Sequence, residues 1–247
     1  MRGFFEYIGG CAVLAGQAFR EAFVPPYPHG LIVAQIHAMG VLSLILTVIA
    51  GLFAGMVVAL QGAHELQRFG AILYIGPTVA NAMVREAGPV MTALLVGGKV
   101  GAGITAELGA MKVTEQVDAL RAIGANAVKF LVLPRLLAGL LVFPLLTIIA
   151  NVVGIIGGLL VTMFQFQLDY MLYWNTISDF TTYQDYFSGF GKSVVFGFLV
   201  ALAGCHQGLT FTGGTTELGR ATTMTVVVIG IAVLVSDYLL TQLFFLF

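Results

Sequence analysis

The sequence predicts an all-α integral membrane protein with five transmembrane helices, an N-terminal interfacial helix and a short cytoplasmic helix between the second and third spans. Of the 247 residues, 59% are hydrophobic and only 9% are charged, and the mean hydropathy is +0.98. Soluble domains carry about 25% charged residues. Uncharged runs of about 20 residues, enough to cross the hydrocarbon core of a bilayer, also recur along the chain. Both observations place most of this chain inside a membrane.

The first 37 residues have a different pattern. Phenylalanine and aliphatic residues are interleaved there with Arg2, Glu6, Arg20 and Glu21, which favours an amphipathic helix in the headgroup plane over a simple surface helix. Three prolines in residues 24–28 then break the pattern, because proline removes a backbone donor. We therefore divide the chain into an interfacial arm, residues 1–37, and a five-span domain, residues 38–247.

The spans are predicted from the long apolar runs, which carry few or no charges. Gly51 and Gly55 predict a close helix contact in the first of them, and the glycines around Lys99 predict a tightly packed second span with that lysine buried. Residues 69–84 are uncharged but short, so we expect a buried or re-entrant extension there. The predicted spans are residues 38–60, 87–108, 136–164, 193–212 and 222–247.

The basic residues predict the orientation. The connector at residues 109–135 carries four lysines and arginines, whereas residues 165–190 carry none and are rich in tyrosine. Because cytoplasmic loops are enriched in basic residues and aromatic residues gather at membrane interfaces, we expect a cytoplasmic connector and N-terminus and a periplasmic C-terminus.

Several function classes lack the residues that they need. The net charge is −1 and no basic stripe is present, so nucleic-acid binding is not expected. The two cysteines are far apart and the four histidines are scattered, which gives no metal-ligand spacing. No nucleotide-binding loop or nucleophile elbow is present. We therefore expect a chain without catalytic residues, metal or cofactor of its own.

The predicted membrane region contains a few charged residues, which are costly in hydrocarbon and usually face a bundle interior or a cavity. Glu86 and Lys192 are expected near the outer ends of their spans. Two interpretations stay open: a polar collar around an outward-facing cavity, or ion pairs that fix helix register. The residues concerned are Arg85, Glu86, Lys99, Lys192 and Asp237.

The charged connector predicts a short helix. Thr114 is the expected N-cap and Gly124 the expected end, and Val113, Val117, Leu120 and Ile123 are expected to form an apolar face. Such a helix either rests on the membrane surface or inserts into a partner, and spacing alone does not decide between them. The residues that we assign to its function are Thr114, Glu115, Gln116, Asp118, Leu120 and Arg121.

Several motifs together resemble the MlaE/YrbE permease family, and the likeness covers the chain from about residue 38 onward. Lys99 stands where that family commonly has arginine, which keeps the charge but loses the planar guanidinium. The motifs are Arg85-Glu86-x-Gly88-Pro89-Val90, Gly98-Lys99-Val100-Gly101, Ala106-Glu107-Leu108-Gly109-x-Met111, Thr114-Glu115-Gln116-x-x-Ala119-Leu120, Pro134-Arg135 and Arg220-Ala221-Thr222-Thr223.

The resemblance implies the membrane subunit of an MCE-type ABC transporter, which moves phospholipids between the two membranes of double-membraned bacteria. It implies a homodimer in the inner membrane, a separate cytoplasmic ABC ATPase that binds ATP and Mg²⁺, and a periplasmic MCE-domain protein. Residues 113–123 would be the coupling helix. A lipid cavity at the dimer interface would include Val58, Leu66, Phe69, Arg85, Glu86, Lys192 and Asp237.

Two alternative functions stay open for this chain. One is a proton-coupled secondary transporter that uses Glu86, Lys192 or Asp237 as a relay, and transport driven by a proton gradient without an ATPase would identify it. The other is a non-transporting scaffold for an ATPase and an MCE protein, for which we expect a collapsed dimer interface without bound lipid.

Overall fold

The computed structural model describes residues 2–25 and 27–246, without the side chains of residues 2–5 and 245. Within these ranges the chain is almost wholly helical and contains no strand, which confirms the all-α prediction. The predicted proline break falls partly on Pro26, and the predicted apolar side chains of the arm include Phe4 and Phe5. Pro26 and those two side chains lie outside the described part.

The N-terminal region forms two helices. Helix α1 spans Arg2–Glu21 and buries Leu14 and Ala18 against the bundle, while Val13 and Phe19 are exposed. Helix α2 spans His29–Met39, and a 3-10 turn at Val41–Ser43 connects it to α3, Leu44–Arg68. The helical segment of the first span therefore begins at His29 and not at residue 38, so part of the predicted arm is continuous with that span.

The second segment is one long interrupted helix, and the expected separate extension at residues 69–84 is wrong. Pro77 lies in the first turn of the helix Ile75–Ala82. Proline costs no helical hydrogen bond there, so the helix continues into the next span. The expected burial of this region is confirmed at Ile75, Val79 and Met83. The segment comprises a 3-10 turn Ile72–Tyr74, α4 Ile75–Ala82, a π-helical turn Met83–Ala87, α5 Gly88–Met91, a second π-helical turn Thr92–Val96 and α6 Gly97–Val113.

The second half of the chain contributes three more long helices and two short ones. Five segments of the described chain are long and apolar enough to cross a membrane, which confirms the predicted number. Both of the last two spans begin earlier than predicted. The elements are α7 Gln116–Ala122, a π-helical turn Val128–Val132, α8 Leu133–Phe166, α9 Tyr170–Phe180, α10 Tyr183–Thr210 and α11 Thr215–Leu246.

Helix α8 lies at the centre of the bundle and packs against α2, α3 and α10. A Cβ atom on Gly55 would overlap the carbonyl oxygen of Gly154, so α3 and α8 approach along their glycines, which confirms the expected close contact. In an 18-residue apolar stretch of the spans that contain α3 and α11, only 22% and 17% of the residues are buried. The corresponding share is 50–56% in the other three spans. The outermost helices therefore present wide apolar faces.

The two ends of the bundle differ in the elements that they carry. At one end, called the α7 end below, the Lys112 Nζ donates to the carbonyl oxygens of Leu209 (2.9 Å) and Phe211 (2.7 Å), which ties α6 to the end of α10. Helix α1 lies at this end too, where the Lys129 Nζ donates to the Pro25 carbonyl (3.3 Å). At the opposite end, the α9 end, the rings of Tyr74 and Phe180 meet edge to face.

Candidate functional site

Helix α7 follows α6 after only two residues, and the structure corrects its predicted start. The Thr114 Oγ1 donates to the Ala110 carbonyl (2.9 Å), back into α6, and does not cap α7. The N-cap position belongs to Glu115, whose φ of 58° is left-handed. The cap was misassigned because a threonine at a helix end also bonds to the carbonyl four residues earlier. Gln116 is the first residue of α7.

The expected apolar face of α7 is smaller than predicted. Val117 is 2% exposed and Leu120 packs against the core, whereas Ile123 is 79% exposed and Val113 is exposed as well. On the outer side, the Arg121 NH1 lies 3.3 Å from the Asp118 Oδ1, and both side chains are about two-thirds exposed. Two residues thus anchor α7 to the bundle, and its charges face outward.

Gly124 ends this helix, as predicted. Its φ is +77°, a conformation that favours glycine, and the Ala125 N–H donates to the Leu120 carbonyl at 3.0 Å. This hydrogen bond satisfies a carbonyl that the end of the helix leaves free. The short helix is therefore bounded by a left-handed residue on each side.

An ion pair that the sequence did not reveal lies behind α7. The Arg135 NH2 is 2.7 Å from the Glu107 Oε2, and the arginine side chain is 3% exposed while the glutamate is 49% exposed. The Arg135 NH1 also donates to the Leu131 carbonyl. Both residues belong to the quoted motifs, but their sequence separation gives no sign that they meet. The pair joins α6 to α8.

The charged residues predicted inside the membrane come together around Lys192. Its Nζ donates to the Glu86 Oε2 (2.7 Å) and to the Thr241 Oγ1 (2.7 Å), and the Asp237 Oδ1 lies 2.9 Å away in an ion-pair contact without hydrogen-bond geometry. The lysine side chain is 1% exposed, whereas that of Glu86 is 46% exposed. We call Glu86, Lys192, Asp237 and Thr241 the Lys192 cluster.

The position of the Lys192 cluster is given by its place along α10. Lys192 stands nine residues after the start of α10 at Tyr183, which is about 14 Å along the helix axis at 1.5 Å per residue. The expected position near the outer ends of the spans stays a prediction, and α10 begins earlier than its uncharged run. Polar and aromatic residues form the first turns of this helix, so the hydropathy pattern concealed them.

Arg85 lies beside this cluster in the same π-helical turn as Glu86. Its Nε is 2.6 Å from the Oδ1 of Asp185, a carboxylate that also accepts from the Thr182 N–H (2.8 Å). The Asp185 carboxylate thereby caps α10 and at the same time forms an ion pair with Arg85. A small cleft is lined by Arg85, Glu86, Ser188, Thr241 and Phe244. The paired charges and the partial exposure of Glu86 support elements of both interpretations of the membrane charges.

The apolar residues predicted for a lipid cavity separate into two groups. Val58 and Leu66 are half-buried on α3 and pack against a buried cluster from α3, α4, α8 and α9. Phe69 follows the end of α3 and is 81% exposed. One protomer therefore does not place all three on one surface of a helix, and the cavity between protomers stays a prediction.

Lys99 was expected to be buried, and this is wrong. The packed face of α6 carries Gly97, Gly98 and Gly101, and Lys99 lies on the exposed side. Its Nζ donates to the carbonyl oxygen of Leu42 and to the Ser43 Oγ (3.3 Å). The lysine thus satisfies a backbone oxygen at the 3-10 turn that interrupts the first span, where unpaired backbone groups are costly.

The packing of α1 against α10 involves neutral polar groups. The Tyr7 ring meets the His206 ring edge to face, with centroids 4.6 Å apart. Burial raises the pKa of the Cys11 thiol to about 11 and also raises the pKa of Tyr7, so both groups stay protonated near neutral pH. In the described ranges, no three His, Cys, Asp or Glu side chains come together as ligands for a metal ion.

Comparison with known sequences gives consistent matches. The family model described as Permease MlaE matches residues 32–243. A probable ABC transporter permease protein of Rickettsia bellii is 37% identical over 240 residues, which are 97% of this chain and 93% of the relative.

Two further relatives come from another bacterium and from a plant. The intermembrane phospholipid transport system permease protein MlaE of Haemophilus influenzae is 37% identical over 216 residues, covering 87% of this chain and 83% of the relative. The chloroplastic protein TRIGALACTOSYLDIACYLGLYCEROL 1 of Arabidopsis thaliana is 33% identical over 211 residues, covering 85% and 60% respectively. The residues matched by the family model include nearly all of the five long helical segments and both charged regions.

Proposed function

The chain belongs to the MlaE permease family, and on this premise we propose that it is the inner-membrane permease of an MCE-type ABC transporter. In this proposal it moves phospholipid between the inner and outer membranes of a bacterium and so maintains outer-membrane lipid asymmetry. The Haemophilus influenzae relative is named as an intermembrane phospholipid transport permease, which supports phospholipid as the substrate.

The observation that carries the proposal is the construction of α7. Val117 anchors this short helix to the bundle, while the side chains of Asp118 and Arg121 project from the end of the molecule. Charged groups that are about two-thirds exposed remain available to a partner. We propose that α7 enters a groove of a separate ATPase, which binds ATP and Mg²⁺ and performs the hydrolysis.

The distribution of basic residues supports a cytoplasmic α7 end. Lys112, Lys129 and Arg135 all lie at that end, together with Arg121 on α7. Positively charged residues favour the cytoplasmic side. The N-terminal helix α1 would then be cytoplasmic, and after five spans the C-terminus would be periplasmic. An MCE-domain partner would meet the α9 end.

The wide apolar faces of α3 and α11 support a homodimer with a lipid cavity between protomers. Phe53 on α3 and Leu234 on α11 are more than half exposed, and a second copy would bury part of these faces. Val58, Leu66 and Phe69 would contribute to the walls. An apolar cavity with a few polar groups suits a diacyl lipid, whose tails need burial and whose headgroup needs specific contacts.

The Lys192 cluster would supply the polar part of that cavity. Lys192 is enclosed and positions Glu86 and Asp237, whereas the Glu86 carboxylate is half exposed. Arg85 is 41% exposed beside it. We propose that Arg85 and Glu86 face the headgroup, with Lys192 and Asp237 holding them in place.

Charge reversal on α7 tests the proposal. The Glu115→Lys, Asp118→Lys double variant should fold normally, because both side chains are exposed, but should lose ATPase association and lipid-stimulated hydrolysis by at least about tenfold. The measurements are co-purification with the ATPase and ATP turnover in phospholipid vesicles.

A matched control exists at the opposite end of the bundle. Glu65 forms an exposed i, i+3 ion pair with Arg68 at 3.5 Å, so the Glu65→Lys variant reverses one surface charge, in the same direction, far from α7. It should retain ATPase association. Full lipid-dependent hydrolysis by the double variant would show that α7 is not the docking element.

A further inference from the structure

A second cavity, separate from the Lys192 cluster, lies just behind α7. It has a volume of about 280 Å³ and opens to the surface of the bundle. Its walls come from α2, α6, α7 and the start of α8, which are elements of three different spans and the short helix. Apolar side chains dominate this lining, chiefly Leu31, Met111, Leu120, Phe130, Leu131 and Pro134.

The position of the cavity indicates what can fill it. Leu31, Met111 and Leu131 all belong to segments that are long and apolar enough to span a membrane. An opening between the ends of such segments would lie beside the lipids of one leaflet, whose acyl chains are apolar like the lining. The natural occupant is therefore part of a lipid.

The charged groups of the cavity select a neutral polar group over a free anion. Glu107 and Arg135 both line it, and their 2.7 Å ion pair neutralises the charge of the wall. The Arg135 side chain is 3% exposed, whereas that of Glu107 is 49% exposed, so the carboxylate is the more accessible member of the pair. A free anion would be repelled by this carboxylate, whereas a neutral ester would not.

The size of the cavity limits the occupant. A cavity of about 150 Å³ accepts a molecule of benzene, and pockets for small molecules begin at about 300 Å³. The 280 Å³ present here suits part of one acyl chain and is too small for a whole diacyl lipid.

We propose that this cavity binds one acyl chain of a bilayer phospholipid from the leaflet at the α7 end, with its ester group beside the Glu107–Arg135 ion pair. This lipid differs from the transported one and stays bound. Leu120, the inner residue of α7, forms part of the wall, so occupancy supports the orientation of α7. That second statement rests on the proposed docking function, whereas the binding itself does not.

Photolabelling tests the binding. The purified protein is reconstituted in phosphatidylethanolamine vesicles with a phosphatidylethanolamine probe that carries a diazirine near the ester end of one chain. Leu131 is 7% exposed and Leu141, ten residues further along, is 55% exposed. A lipid inside the cavity labels the peptide around Leu131 at least as strongly as that around Leu141. Labelling of Leu141 alone overturns the proposal.

Two variants sharpen this result. Met111→Trp fills the cavity and should reduce labelling around Leu131 by about tenfold, whereas Phe130→Ala enlarges it and should increase labelling. Leu141→Trp is the matched control and should change neither. Unchanged labelling around Leu131 in both cavity variants contradicts the proposal.

The coupling statement has its own readout. With the ATPase present, Met111→Trp should lower lipid-stimulated hydrolysis several-fold, and Leu141→Trp should not. Loss of labelling with unchanged hydrolysis would overturn the influence on α7 while leaving the binding site in place. If α7 does not dock an ATPase at all, the charge-reversal variant fails its test while the photolabelling result still stands.

Discussion

The Lys192 cluster and α7 are the two regions where this apolar chain concentrates charge, and they are built in opposite ways. Lys192 is 1% exposed and its ammonium contacts groups from the second and fifth spans. On α7, Asp118 and Arg121 form an ion pair across one helical turn, and both side chains are exposed. Within residues 2–25 and 27–246, neither of them pairs with a charged group outside α7. One region uses charge inside the bundle and the other displays it.

This difference separates two roles of charge in a membrane protein. A buried charge must be paired with good geometry, so it fixes the positions of the helices that carry its partners. An exposed pair contributes little to stability, so its residues are free to serve a partner. The predictions below measure how far stability and recognition are separated in this way.

The largest expected effect is at Lys192. The Lys192→Met variant leaves Glu86 and Asp237 without their cation, and breaking a buried pair in this way costs about 3 kcal/mol or more. The free energy of unfolding in detergent, measured by denaturant titration, should fall accordingly. The triple variant Lys192→Met, Glu86→Gln, Asp237→Asn removes the uncompensated charges and should recover part of the loss. An unchanged unfolding midpoint for Lys192→Met would contradict the buried role.

A smaller effect of opposite sign is expected at the start of α7. Glu115 has a φ of 58°, a conformation that costs a residue with a Cβ about 1 kcal/mol relative to glycine. Glu115→Gly should therefore slow amide hydrogen exchange in α7. Gly124, with a φ of +77°, gives the reverse control, because Gly124→Ala should accelerate exchange in the same helix. Equal responses of the two variants would show that backbone strain does not govern α7.

The smallest effect is expected for the exposed ion pair. Asp118→Asn should change the free energy of unfolding by less than about 0.5 kcal/mol, since exposed pairs are screened by water. Glu65→Gln, which removes the similar pair at the α9 end, should behave alike. A loss comparable to that of Lys192→Met would show that α7 is part of the folded core.

The sequence was sufficient for features that depend on local pattern. The number of spans, the glycine contact at Gly55 and the end of α7 at Gly124 were all predicted, because hydropathy, small residues and helix-ending glycines act over a few turns. Charge inside a membrane is rare enough to attract notice, so the sequence also indicated Glu86, Lys192 and Asp237, which the structure brings together.

The features that the sequence did not predict depend on hydrogen-bond or ion-pair partners. These partners either lie far away along the chain or compete with another nearby group. Lys99 finds its acceptors at the interrupted first span, and Arg135 finds Glu107, neither of which periodicity reveals. Pro77 resembled a break but occupies a tolerant first turn. Thr114 had two available roles, and the carbonyl of Ala110 prevailed.

We propose that ATP hydrolysis in a partner, transmitted through α7, drives phospholipid movement through this chain. This can be measured as transfer of fluorescent phospholipid by the permease, reconstituted with the proposed ATPase and MCE partners in vesicles without a proton gradient. We expect transfer that requires ATP, is lost in the Glu115→Lys, Asp118→Lys variant and is retained in Glu65→Lys. Transfer by the permease alone, driven by a proton gradient with no ATPase present, would show that the proposal is wrong.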